Sequence, residues 1–254
     1  MKERNTKEGR KENAKMQKKA ARRLWFRLYR SAACPFIRRP KFIYLGERVT
    51  EPSLILSNHV GASAPLAWEI YFDLPFRFWG THEMTEGPLS VYRYLSRVYF
   101  YQKKHMRKWL ARLVGLVVTP FAWLFYRGLR LIPTYQDARF VSTVHKSCEV
   151  LASGQSLIIF PEDSSRGYFD NLRKFYSGFA VLAGHMLRKG TDLPVFVSYY
   201  KKREHAFIID RPVRFSELSA GTTDLQEIAD RLCNRANALA RVVSAAAEDL
   251  TRRS

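Results

Sequence analysis

Cysteine is scarce. Cys34, Cys148 and Cys233 are the only three in 254 residues, far apart and in neither a CxxC nor a metal-ligand spacing. A disulfide framework is excluded as the basis of the fold, and buried or free thiols in a reducing compartment are expected, with no metal site. Long apolar runs are missing too. The first apolar cluster, Leu24-Trp-Phe, is too short for the h-region of a secretory signal. The longest uncharged stretch of note, 113–126, would extend only about 21 Å as a helix, against a hydrocarbon core of about 30 Å. It is therefore expected to be a re-entrant, interfacial or buried core helix rather than a span. No internal repeat is present. Acid is absent from one long interval: residues 88–136 hold nine Lys/Arg and no Asp or Glu, a charge of +9. Residues 1–30 carry twelve Lys/Arg against three Glu, another +9, so these two segments hold +18 of the net +20. Charge so concentrated makes a basic face, whose partner is either nucleic acid or an anionic membrane. No nucleic-acid motif is present and the uncharged run suits lipid better, so anionic membrane lipids are the expected partner and nucleic acid is not.

At 46% hydrophobic the chain can bury a real core. The expected organisation is a basic N-terminal segment, 1–40, and one α/β domain, 41–254, with a membrane-seeking helical insertion at about 88–127. Residues 1–18 have almost no apolar content and are expected to be disordered or a frayed helix. From 14 to 33 the pattern is a helix carrying Leu24, Trp25, Phe26, Leu28 and Tyr29 among Arg22, Arg23, Arg27 and Arg30, as an interfacial amphipathic helix needs. The other reading is a helix packed on the domain with its basic face solvated. Strands are expected at 42–45, 53–57, 76–79, 128–134, 156–160, 193–200 and 206–210, the last two as a hairpin. Helices are expected at 65–71, 137–153, 175–189 and 223–249, with Gly154 and Gly190 as terminators and a cap at Thr223-Asp224.

Two stretches organise the rest. Ser53-Leu-Ile-Leu-Ser-Asn-His59 and Ser156-Leu-Ile-Ile-Phe-Pro-Glu-Asp-Ser-Ser-Arg-Gly167 are apolar runs ending in polar residues, as parallel strands buried on both faces would be. The fold class expected is α/β, a mostly parallel central sheet with helices on both faces. Ligands in such sheets collect beyond the carboxyl ends of the strands, so His59 and the turn of Glu162, Asp163, Ser164, Ser165 and Arg166 are expected to share one cleft. A neutral imidazole is the usual general base near pH 7, although a lone histidine is also commonly structural. Arg166 with Ser164 and Ser165 would suit an anionic group such as phosphate. The bland reading of that turn is a solvated charge pair. His82-Glu83, at another strand end, could join the same mouth.

Four blocks in order, Asn58-His59, Gly128-Leu-Arg-Leu-Ile-Pro133, Phe160-Pro-Glu162 and Leu193-Pro-Val-Phe-Val197, resemble those of the lysophospholipid and glycerol-phosphate acyltransferase family (1-acylglycerol-3-phosphate acyltransferase-like) over roughly residues 42–215. The resemblance implies an α/β fold with its site at the strand ends. It also implies transfer of an acyl chain from acyl-CoA or acyl carrier protein, as co-substrate with no bound cofactor, to a hydroxyl of a lysophospholipid or related acceptor. His59 would be the base and Glu162 its catalytic partner, with Asn58, Asp163, Ser164, Ser165 and Arg166 binding substrate. The expected location is the cytoplasmic face of a membrane, peripheral or re-entrant. The chain departs from the family in three places. The family's Asp, which follows the Asn-His pair after four intervening residues, is Ala64 here, its second-block Arg is Thr134, and its third-block Arg falls one residue late, at Arg166. Without the Asp, either another carboxylate, Glu162 or Asp163 first and Glu83 second, orients the imidazole, or the chain is a catalytically weakened relative that binds lipid.

Overall fold

A computed structural model describes residues 24–165 and 167–242. The expected N-terminal disorder, the first part of the basic helix, the end of the closing helix and Arg166 lie outside the described residues.

Strands β1 (Lys41–Tyr44), β2 (Leu54–Ser57), β3 (Phe76–Thr81), β4 (Ile132–Thr134), β5 (Ser156–Ile159), β6 (Pro194–Lys201), β7 (Ala206–Ile209) and β8 (Val213–Arg214) form one sheet in the order β1-β7-β6-β2-β5-β3-β4, with β8 beside β6. From β6 to β4 every pairing is parallel, whereas β7 and β8 run antiparallel to β6. The fold is α/β. All four residues of β2 and all four of β5 are buried, which is why these strands read as unbroken apolar runs rather than alternating ones. Their side chains feed two cores. On one face Leu54, Leu56, Leu157, Ile159, Val195 and Val197 pack under α5 (Phe140–Ala152), α6 (Gly178–Arg188) and α8 (Leu225–Arg241). On the other, Ile55, Ile158 and Phe196 meet Phe26 of α1 (Leu24–Ala33), Trp68 of α2 (Ser63–Tyr71) and Leu129. A short α7 (Phe215–Ser219) precedes α8, whose N-cap Asp224 accepts from the Gln226 N–H at 2.8 Å.

Two elements differ from the sequence reading. The 128–134 strand shrinks to Ile132–Thr134, because the preceding helix continues to Leu129 and stops only where Arg130 turns left-handed at φ 52°. The uncharged run also understates its helix. That helix, α4, spans Lys108–Leu129, 22 residues, so it takes in Arg112 and Arg127 and is about 33 Å long, enough by length and composition to cross a bilayer. Before it, α3 (Pro88–Arg93) runs without a break into a π-helix, Tyr94–Lys103, and the chain turns back through left-handed His105 so that α3 and the π-helix pack along α4. Ala111, Gly115 and Thr119 are buried there, while Trp109, Leu113, Leu116, Val117 and Phe121 are exposed on the far side.

The basic N-terminal helix is docked rather than free. Phe26 is fully buried, and a Cβ added to Gly128 would lie 1.9 Å from its ring. Arg30 adds an ion pair to buried Glu69 at 3.5 Å and a bond to the Ile70 carbonyl at 2.9 Å, while Leu24 and Leu28 remain exposed. Gly128→Ala should therefore destabilise the protein by about 1–3 kcal/mol. Adding Phe26→Ala should make the double variant less costly than the sum of the singles, which thermal denaturation of the four-member cycle would show; strict additivity would mean the contact is not what positions α1.

Candidate active site

β2 and β5 are adjacent and parallel, with Leu54, Ile55 and Leu56 opposite Leu157, Ile158 and Ile159. Their carboxyl ends therefore finish side by side, and the residues just beyond them meet. The His59 backbone N–H donates to Glu162 Oε1 at 2.9 Å. The two stretches singled out in the sequence are thus joined at one edge of the sheet.

Asn58 is fully buried, and both ends of its amide are committed: Nδ2 donates to the Tyr200 carbonyl at 3.2 Å and Oδ1 accepts from the Tyr200 N–H at 2.6 Å. Asn58 is expected to bind substrate; in this structure its buried side chain, bonded on both ends of the amide to the Tyr200 backbone, clamps β2 to β6 where the ladder ends and thereby fixes the departure of the residue that follows.

That residue, His59, is followed by left-handed Val60 (φ 43°) and Gly61 (φ 65°), which turn the chain sharply into α2. The ring lies against Phe160 (centroids 4.8 Å, planes 57° apart) and stacks on Tyr168 (5.0 Å, 24°). Nδ1 is buried and has no hydrogen-bond partner. Burial, then the charge of Lys103, pushes the imidazole down to about 4, with the backbone of Gly61 and His59 only partly offsetting. It is therefore neutral at physiological pH, and with Nδ1 sealed, Nε2 is the nitrogen available to a substrate. Among the described residues, no carboxylate bonds the ring. Glu162, the favoured candidate, uses Oε1 on the backbone N–H instead, and Ala64 is fully buried in the apolar cluster around Trp68. The expected Glu162 contact to the imidazole is thus replaced here by one to the His59 backbone.

Glu162 is itself nearly buried, and burial pushes its carboxyl up to about 7 against the opposing effects of the His59 N–H and Lys103. The turn that carries it is a fastened loop rather than a tight bend. Glu162 bridges Phe175 antiparallel, the Asp163 N–H donates to the Lys174 carbonyl (3.0 Å) and the Tyr176 N–H to the Pro161 carbonyl (2.8 Å), which delays the start of α6 to Gly178. Further along, Leu172 is bracketed by Asn237, both bonds 2.8 Å. Asp163 caps the loop locally by accepting from the Ser165 N–H at 3.0 Å, a bond that holds its carboxyl below the usual range. Ser165 is exposed, and Ser164 accepts from Lys103 Nζ at 2.7 Å.

Lys103 was not legible as a site residue. It ends the π-helix, 44 positions from His59, in a basic and aromatic segment where nothing in the spacing separates it from Lys104. Here its ammonium reaches Ser164, stands 5.3 Å from the centre of the Tyr168 ring, and acts on both His59 and Glu162. Burial lowers its own pKa, with Glu162 and Asp163 pulling the other way.

The remaining candidates stand elsewhere. His82 stacks on Tyr135 at 5.0 Å and faces Glu83 and Glu86, and makes no hydrogen bond, ion pair or ring contact with His59. Thr81 Oγ1 donates to Glu83. Thr134 donates to the Gly80 carbonyl at 3.1 Å, tying β4 to β3. Among the described residues, no group of three or more His, Cys, Asp and Glu side chains is gathered as a metal site would require.

The two shifted groups oppose each other in pH dependence. Glu162 holds its proton more tightly folded than unfolded, so its effect on stability worsens as pH rises from about 4.5 through 7, by at most on the order of 3 kcal/mol. His59 holds its proton less tightly folded, so its effect worsens as pH falls from about 6.5 through 4. Glu162→Gln should flatten the loss of melting temperature between pH 5 and 8 and leave the acid-side loss in place; an unchanged slope would show that the carboxyl is not desolvated. Asn58→Leu, which strands the Tyr200 amide and carbonyl, should cost about 2–4 kcal/mol in urea unfolding.

The sequence matches no family model and no curated protein. Among solved structures, the chain is similar to the 1-acyl-sn-glycerophosphate (LPA) acyltransferase PlsC from Thermotoga maritima at a TM-score of 0.40 and 12% identity, over 77% of this chain and 72% of that one.

Proposed function

We propose that this chain transfers an acyl group from acyl-CoA or acyl carrier protein to a hydroxyl of a lysophospholipid or related lipid at the cytoplasmic face of an anionic membrane. The observation that carries the reading is a neutral imidazole at the carboxyl end of a central strand, fixed by its backbone to Glu162 and overlooked by a half-buried ammonium. Three of the four sequence blocks that resemble the acyltransferase family fall on β2, β5 and β6 or just beyond their ends, and the fourth, 128–133, runs from the end of α4 into β4 at the border of the sheet. In the proposed reaction Nε2 of His59 takes the proton of the acceptor hydroxyl as its oxygen attacks the thioester carbonyl. Collapse of the tetrahedral intermediate breaks the C–S bond, and the thiolate recovers the proton from the imidazolium. Lys103, and the Glu162 carboxyl where protonated, supply positive potential and a donor toward the carbonyl oxygen as it gains charge.

Membrane contact is supported by the exposed stripe of Trp109, Leu113, Leu116, Val117, Phe121 and Leu124 on α4, continuous at helical spacing and larger in kind than the scattered apolar residues of an ordinary soluble surface. Arg127 stacks over Trp123 at 5.5 Å near the end of that stripe, an arrangement suited to headgroup depth.

A second reading, a relative that binds lipid without turnover, is favoured by one observation: Nδ1 has no hydrogen-bond partner, so the imidazolium has the backbone of Gly61 and His59 to support it but no carboxylate among the described residues. Radiolabelled transfer from a panel of acyl-CoA and acyl carrier protein donors into total lipid separates the two. Wild-type transfer that His59→Ala reduces by about 10²–10⁴-fold carries the first reading. Transfer that appears only in Ala64→Asp carries the second, and wild-type transfer that survives His59→Ala removes the catalytic assignment. Binding is tested separately by sedimentation with vesicles. The protein should pellet with anionic but not zwitterionic lipid, less so in high salt or after deletion of residues 1–23, a cut that spares buried Phe26. Failure to pellet with either vesicle would sink the membrane part.

A further inference from the structure

A catalytic histidine needs its ring held in one orientation, and here the usual means is missing. Glu162 bonds the backbone rather than the ring, the side chain five residues past His59 is the methyl of buried Ala64, and Nδ1 has no hydrogen-bond partner, with only the backbone of Gly61 and His59 favouring its protonation. Yet the ring is closely confined. Phe160, itself stacked on Phe78 at 5.8 Å, meets it at 57°, and Tyr168 lies nearly parallel to it, 5.0 Å away.

Tyr168 is held in its turn. It follows Gly167, whose φ of +107° is open to glycine but strained for other residues, and it sits in the loop fastened by the Glu162–Phe175 bridge, the Asn237 bracket on Leu172 and the bond from the Tyr199 hydroxyl to the Asp170 carbonyl at 2.5 Å. Lys103 stands over the Tyr168 ring and is anchored on Ser164.

We propose that Tyr168 is the positioning residue for His59, orienting the imidazole by stacking where a hydrogen-bonded carboxylate is absent. The inference rests on the reading of His59 as the base. A stacked ring has its plane fixed but not its tautomer, and its cation gains no carboxylate partner. The groups that face it are Lys103 from the π-helix and Glu162 and Tyr168 from the loop, with Tyr94, Tyr99 and Tyr126 close behind Tyr168. Of these only Lys103 acts directly on the imidazole charge, and it disfavours protonation. The site would therefore work with a weakly basic imidazole that rests neutral and is protonated only within the reaction, and its rate should show no limb near the usual histidine value. Removing the Tyr168 face should admit water, make the ring more basic and let it turn.

The test is a titration of the His59 ring by NMR in the full chain, set beside transfer kinetics, for wild type, Tyr168→Phe and Tyr168→Leu. Wild type and Tyr168→Phe should share a depressed titration, and His59 ring protons in both should be displaced upfield by the stacked ring. Tyr168→Leu should raise the proton affinity of His59 at least tenfold, lower kcat about 10–100-fold with KM within a few fold, and bring a histidine limb into the pH profile. Equal kcat and equal titration in folded Tyr168→Leu would overturn the proposal. Should that variant not fold, absence of the upfield displacement in wild type would overturn it alone. A wild type inactive with every donor would sink the acyl-transfer reading, while the NMR arm still decides whether Tyr168 holds the ring.

Discussion

The parallel pairing of β2 with β5 is the constraint on which the rest depends. Both strands are covered on both faces, so neither can slide without exposing a row of aliphatic side chains, and their carboxyl ends are locked in register. The bond from the His59 N–H to Glu162 then extends that register one step past the sheet, into residues that no longer have strand partners. The cost is a carboxyl taken out of water, which its raised pKa registers. Asn58 performs the complementary task toward β6 by standing in for a ladder partner of Tyr200. Three neighbouring parallel strands therefore deliver one histidine to one place, and they do so with backbone and amide bonds that leave the imidazole itself untouched.

That choice has chemical consequences. A carboxylate on the ring would fix the tautomer and support the cation; a carboxylate on the backbone fixes the position of the residue and nothing more. The imidazole is then governed by what surrounds it, two aromatic faces and a lysine, all of which favour the neutral form. In the proposed reaction such a ring would be free to accept a proton at physiological pH but would hold it weakly, so the barrier would have to be lowered elsewhere, by the positive potential of Lys103 at the attacked carbonyl or by binding energy from the lipid.

Much of this was legible in sequence because it depends on local pattern. The runs 53–57 and 156–160 read as doubly buried strands from their unbroken aliphatic character, Gly154 and Gly190 take the left-handed conformations expected of helix terminators (φ 78° and 85°), and Asp224 caps α8. Proximity of His59 to Glu162 followed from strand polarity alone. What each side chain does on arrival did not follow. Asn58 and Glu162 are polar residues at a strand end whether they face a substrate or the backbone, and only the geometry of the next strand decides. Lys103 and Tyr168 were invisible for a different reason: both reach the site from segments whose path is set by tertiary packing, a π-helix and a loop bridged at its base. The same holds for the length of α4, where charge at Arg112 and Arg127 ended the uncharged run but not the helix.

The π-helix also ties the site to the surface. Its far end continues α3, its flank packs along α4, and its last residue is Lys103. The exposed apolar stripe of α4 and the ammonium beside His59 thus belong to one helical hairpin, docked on the body through Leu129 and through Gly128 against Phe26. A π-helix is a costly conformation kept where its geometry matters, and here it sets the phase at which Lys103 leaves the helix. The α4 stripe is thus connected to Lys103 by packing along the π-helix, and Lys103 to Ser164 and Tyr168 by side-chain contacts, none of which belongs to the β2–β5 register that brings His59 and Glu162 together.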